Sequence, residues 1–412
     1  MRRAFVVVVC GCLLALGNLA GRAQSGLPAG GVLAGGLHDP VTPAVERALA
    51  LAREGKTQEA IAAWQGVVQA QPRNGQAYAQ MGLLEARLGR FDAAAGDYRK
   101  AASIEPGLPG LPLNLGLALF KAGRFAEAET VFLRELKEHP GDQRLTILTA
   151  MSYYGEHRYA QAIPYLKEAT ARDQRNLELR LALAHCYLWT HQLETTLGVY
   201  KEILQIDPDS AEADMIAGEA LDEKGDNAGA VQQFRAAEKA NPKEPEVHFG
   251  LAYLLWAQKR YDEAVTEFQM ELKNDPGNNQ ARIYLGDTFM QMGRYAEAKQ
   301  ELLIAEKGDR KMPLIHLDLG IVAQETDHRE EAMRELKEAI ALAPANVNAH
   351  FRLARIYQQS GQRELAKVEF DKAKNLNKSQ DESLHQRIAD ANARPASAGG
   401  TAGTATAPNA AP

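Results

Sequence analysis

Proline stands at Pro72, Pro106, Pro140, Pro208, Pro242, Pro276 and Pro344, always in one 34-residue phase, and the same phase carries Gln174, Arg310 and Lys378 where proline is missing. Ten units of this length fill 41–380 without an insertion or deletion. A constant period in this range means stacked copies of one small unit, because a single copy cannot bury its apolar face alone.

The interior of the unit predicts its shape. The eighth position is Ala48, Gly82, Gly116, Ala150, Ala184, Gly218, Ala252, Gly286, Gly320 and Ala354, always glycine or alanine. The twentieth is alanine in every unit but the fifth, which has Thr196. Apolar spacing of three and four on both sides of the midpoint, as in Leu285 and Phe289 and then Ala298, Leu302 and Ala305, gives two helices with one buried stripe each. Small side chains at positions eight and twenty let the pair approach closely. Glycine at the fifteenth position of six units (Gly55, Gly89, Gly123, Gly225, Gly293, Gly361) marks a left-handed end to the first helix. The closing proline stops the second.

Small residues at eight and twenty, an aromatic residue or leucine at twenty-four (Trp64, Tyr98, Phe132, Leu166, Tyr200, Phe234, Phe268, Leu302, Leu336, Phe370) and proline at thirty-two together resemble the tetratricopeptide repeat family. The resemblance implies an all-α, right-handed superhelical solenoid of about ten helix-turn-helix units. The aromatic expected at position four is replaced by Ala44, Pro112 or Arg282 in places, and GDRKMP, at the eighth-to-ninth junction, is the least regular stretch, where a change of pitch is expected.

Outside the repeats, 1–23 has Arg2 and Arg3, an apolar run from Ala4 to Leu16 and the small residues Gly21 and Ala23, the layout of a cleaved secretory signal with Gln24 as the new N-terminus. A membrane anchor is the competing reading, but the run falls short of the roughly 20 residues that span a bilayer. A twin-arginine signal at Arg2-Arg3 and a lipidated Cys12 are further alternatives. Loss of Arg2, Arg3 and Arg22 moves the net charge from −6 to −9. It also leaves Cys186 as the single cysteine, within the apolar stretch LALAHCYLW, read as a buried inert thiol. A glycine-rich lead (24–40) precedes the repeats; a capping helix (381–392) and a disordered tail (393–412) without large apolar residues follow.

Chemistry is scarce. The chain lacks a phosphate loop, a GxSxG, an HExxH and a CxxC, so no catalytic residue, cofactor or metal is expected. Forty-seven basic against 53 acidic side chains, with no long basic run, argue against nucleic acid as a partner. His248, His316 and His350 share position four; copies on successive units lie on the order of 10 Å apart, too far to share one ion.

The resemblance implies a concave groove lined by positions two, five, nine and twelve of each first helix, and large apolar side chains gather there. The candidates are Leu113, Leu117 and Phe120; Ile147, Met151 and Tyr154; Leu181, His185 and Leu188; and Phe249, Tyr253 and Trp256, with the acidic Glu219, Asp222 and Glu223 on the intervening unit. Such a groove fits a protein or peptide partner with an apolar segment. Tyr154, Phe249, Tyr253 and Trp256 are expected to be dispensable for folding. The lysine-and-asparagine pair with which relatives clamp a C-terminal carboxylate is missing from positions five and nine. A scaffold of the cell envelope or of secretion is the function implied; a glycan-binding protein that stacks sugars on Tyr154, Tyr253 and Trp256 is the alternative.

Overall fold

The computed structural model describes residues 42–393, with side chains over 43–379. The expected signal (1–23), lead (24–40) and tail beyond Ala393 lie outside the described residues. Among them are twenty helices and no strand.

The chain divides into two compact units, one ending at Ala257 and the other beginning at Gln258. The first holds six complete pairs: α1 (Thr42–Arg53) and α2 (Thr57–Ala70), α3 (Gly75–Arg87) and α4 (Phe91–Ile104), α5 (Leu111–Lys121) and α6 (Phe125–Glu138), α7 (Gln143–Gly155) and α8 (Tyr159–Arg172), α9 (Leu177–Trp189) and α10 (Leu193–Ile203), α11 (Ala211–Glu223) and α12 (Asn227–Ala240). It closes with α13 (Val247–Ala257), the first helix of repeat seven. The second opens with α14 (Tyr261–Asn274) and holds three pairs: α15 (Asn279–Gln291) and α16 (Tyr295–Gly308), α17 (Pro313–Glu325) and α18 (Arg329–Leu342), α19 (Val347–Gln359) and α20 (Arg363–Ala393). Within each unit a helix packs chiefly on its neighbours in sequence, and first helices of successive repeats also touch, α3 with α5, α9 with α11 and α15 with α17.

The fifteenth position ends the first helix in all ten repeats. The six glycines have φ between 72° and 82°, and His157, His191, Lys259 and Asp327 take the same left-handed conformation with φ of 57–60°. The next amide closes the turn on a carbonyl five residues back, as from Lys56 N to Leu51 O (3.0 Å) and from Arg124 N to Leu119 O (2.9 Å). Such a closure uses backbone atoms only.

At the other end of the unit, the residue before the first helix caps it. Asn74, Asn176, Asn278 and Asn346 each accept from the amide three residues on, at 2.9–3.1 Å. Asp142 accepts from Arg144 N (2.8 Å), and Ser210 from Ala213 N (3.4 Å). Position 34 thus sets where each of these helices starts. At the junction GDRKMP no side chain caps α17, but Pro313 occupies its first turn, where a missing N–H costs nothing. The connector 309–312 has the length of 343–346, so the irregular sequence leaves the helix spacing unchanged.

Positions eight and twenty-four meet. A Cβ on Gly116 would lie 2.4 Å from Phe132, one on Gly218 2.7 Å from Phe234, and one on Gly320 2.8 Å from Leu336. The large side chain of the second helix lies flat on the small residue of the first, and a methyl group at that spot has nowhere to go. Phe234 is held from both sides, because a Cβ on Gly250 of the following repeat would lie 2.3 Å from the same ring.

The capping helix expected at 381–392 is not a separate element: α20 runs unbroken from Arg363 to Ala393, so the chain makes no turn after the tenth repeat. NKSQDESLHQ contains neither glycine nor proline to break the helix there. No described helix is long and apolar enough to cross a membrane.

Candidate partner-binding face

The inner-line candidates lie on α5, α7, α9, α11 and α13, all within the first compact unit. Burial sorts them. Leu117, Phe120, Ile147, Met151, Leu181 and Leu188 are buried, and Tyr154 and Phe249 are only 2% and 1% exposed. Leu113 is half-buried against the same core. The expectation that Tyr154 and Phe249 are dispensable for folding is therefore corrected: both are interior side chains. Tyr154 packs edge-on against Tyr159 (5.5 Å), and Tyr159 stacks on Trp189 (5.9 Å), so that ring belongs to an aromatic run through α7, α8 and α9.

Tyr253 and Trp256 differ. Both remain half-buried on α13, with ring centroids 5.7 Å apart and planes tilted by 35°. They are the aromatic residues among the inner-line candidates that keep a surface.

Beside them lies the acidic set. Glu219 and Asp222 are half-buried on α11, and the exposed Glu223 pairs with His191 Nδ1 at 2.8 Å. Burial, followed by the charges of Glu223, Glu246 and Asp222, pushes Glu219 up to about 8. Burial and Glu223 also raise Asp222, whose charge in turn adds to the effect of burial in raising the Tyr253 hydroxyl. A second acidic group is coupled through Glu212: its charge reinforces burial in raising both Glu178 and Glu244. Glu178, Glu212 and Glu246 all stand at position two of repeats five, six and seven. That period was readable in the sequence, and so was Met215 at position five of repeat six, yet neither is among the candidates above.

His185 is 5% exposed. Its Nε2 lies 3.4 Å from Glu212 Oε1, and neither atom completes a hydrogen bond. Cys186, next to it, is a buried free thiol, as expected.

The histidines at position four make hydrogen bonds to the preceding connector. His248 Nε2 meets the Pro242 carbonyl at 3.0 Å. In the second compact unit His316 Nδ1 faces Glu335 Oε2 at 2.9 Å while its Nε2 faces the Arg310 carbonyl at 3.0 Å. His350 repeats the arrangement with Glu369 and the Pro344 carbonyl. Arg282 bonds Glu301 at 3.0 Å from the same two positions, four and twenty-three. Burial opposes a charged ring at His316, but the Glu335 hydrogen bond and the Arg310 carbonyl outweigh it and hold the group above its usual value.

A sequence model described as a tetratricopeptide repeat matches residues 45–109 and 216–279. A second model of that description matches 85–151, 153–219 and 323–387. The chain is similar to human tetratricopeptide repeat protein 6, with 25% identity over 210 residues, 50% of this chain and 40% of that protein. It is also similar to anaphase-promoting complex subunit 3 of Schizosaccharomyces pombe, with 24% identity over 281 residues, 65% of this chain and 40% of the other. The chain thus spans under half the length of either relative. Among solved structures it resembles Pseudomonas aeruginosa pilF with a TM-score of 0.44 and 20% identity, over 54% of this chain and 99% of that one, a likeness of fold alone.

Proposed function

Because the chain belongs to the tetratricopeptide repeat family, we propose that it is a non-enzymatic scaffold that captures a protein partner along the inner line of its first helices. The observation that carries this reading is the half-buried Tyr253–Trp256 pair, left partly uncovered where the equivalent side chains of repeats three to five are interior. Aromatic residues contribute most to affinity where they keep a surface that a partner then dries.

Combined Tyr253→Ala and Trp256→Ala weakens partner capture at least tenfold, the loss of about 1.4 kcal/mol or more expected from a hot spot. The melting midpoint moves little. Pull-down titrations and thermal melts on one preparation check both halves: unchanged capture, or unfolding like that of a core variant, removes the pair from the site. The glycan alternative loses one of its three rings, since Tyr154 is interior. Capture that soluble oligosaccharides compete away, and apolar peptides do not, restores it.

The reading includes export. Arg2, Arg3, the apolar run and Ala23 support a signal cleaved to give Gln24 at the mature N-terminus, and a place in the envelope or in secretion. Mass spectrometry of the native protein is expected to find Gln24 first; an intact Met1 in a soluble cell fraction refutes it.

A further inference from the structure

Resting on the scaffold reading above, we infer that the segment bound by repeats five to seven is cationic as well as apolar, with lysine or arginine side chains set against the acidic residues of α9, α11 and α13 and aliphatic side chains between them. Position two is glutamate in three consecutive repeats, Glu178, Glu212 and Glu246, and α13 adds the half-buried Tyr253–Trp256 pair. An acidic row thus ends beside an aromatic surface. The acidic groups sense one another across repeats: Glu212 acts on Glu178, and Glu246 on Glu219. Burial and like charge both work against their ionised forms, and a docked cation relieves the like charge.

The second observation is independent of charge counting. His185 is nineteen-twentieths buried and aimed at the acidic row, with Nε2 3.4 Å from Glu212 Oε1. Both atoms are buried and neither completes a hydrogen bond. Buried polar atoms in natural proteins are almost always satisfied. A ring nitrogen and a carboxylate oxygen so placed call for an added donor, and one ammonium carries three N–H groups. A neutral apolar segment would leave these atoms unmet.

Two fluorescent peptides test the inference on the mature full chain: a short sequence of lysines spaced by leucines, and its analogue with every lysine replaced by glutamine. Anisotropy titration is expected to show the lysine peptide binding at least tenfold more tightly, with an affinity that falls as salt rises. Glu178→Gln, Glu212→Gln and Asp222→Asn together remove that advantage, while Glu330→Gln, exposed in the second compact unit, leaves it intact. A benzophenone on the lysine peptide is expected to crosslink to α9, α11 or α13, a readout that needs no variant. Equal binding of the two peptides overturns the charge inference and leaves the scaffold reading standing. So does crosslinking confined to other helices, or a lysine peptide that fails to bind while Tyr253→Ala and Trp256→Ala still weakens capture of the natural partner. If that double variant also captures its partner as the wild type does, both readings fall.

Discussion

Phe234→Ala lowers the stability of the protein by about 3–5 kcal/mol, the range for losing a fully buried phenylalanine. The ring is 1% exposed and lies between Gly218 and Gly250, whose added Cβ atoms would stand 2.7 and 2.3 Å from it. At Gly218 and Gly250 main chain lies against the ring, with no side chain of its own to move into the space, so the cavity stays largely open. The same geometry makes the opposite change harmful: Gly116→Leu drives atoms into Phe132 and costs roughly 1–3 kcal/mol by overpacking, whereas Gln161→Leu, on the exposed face of α8, costs little. Gly250→Ala is expected to cost less in a Phe234→Leu background than alone, because the two changes share one space. Denaturant titrations of the single and double variants measure this; additivity, or a Phe234→Ala cost below that of a surface change, refutes the clamp.

The melting midpoint is highest near pH 5 and falls by several degrees towards pH 8. Burial, helped by nearby acidic groups, raises Asp97 to about 6 and Glu219 to about 8, and it raises Glu178, Asp214, Asp222, Glu244 and Asp318 as well. His316 is also held above its usual value. A group whose value is raised on folding binds its proton more tightly in the native state, so its contribution is present at low pH and lost as pH rises through the folded value. All eight therefore act in the same direction between roughly pH 4 and 8. The acid limit comes from groups of the other kind: Asp142, Glu194, Glu297 and Glu369 are held below their usual values, and their support fades as pH falls below about 4. Calorimetric scans across this range check the sign, and Glu219→Gln flattens the neutral limb. A midpoint that climbs from pH 5 to pH 8 contradicts the assignment.

The repeat phase, the small residues at eight and twenty and the glycine turns were legible because each is a local or periodic property of the chain. The left-handed turns at His157, His191, Lys259 and Asp327 fall in the same phase, but only the six glycines carried a residue-type signal for them. The asparagine caps at position 34 were equally readable, since a side-chain amide there can accept from the first turn of the next helix. Pairings were not legible. That Phe234 touches glycines of two repeats, or that His316 finds Glu335 nineteen residues on, depends on how two helices cross. For the candidate face, position predicted membership but not exposure: Tyr154, at position twelve of repeat four, is interior and packs against Tyr159, whereas Tyr253, at position nine of repeat seven, is half-open. The unbroken α20 follows from ordinary helix propensity across 376–385, with no glycine or proline there to separate a capping helix at 381–392.

The left-handed turns at position fifteen are closed by main-chain atoms whether the residue is glycine, histidine or aspartate. The joint is therefore indifferent to which repeat supplies it. A genetic exchange that removes or copies 34 residues in phase leaves every remaining turn with the atoms it needs, while one out of phase severs a closure. Array length is thus a heritable variable that changes in whole steps, and descendants of this gene are expected to differ by complete repeats far more often than by a few residues within one.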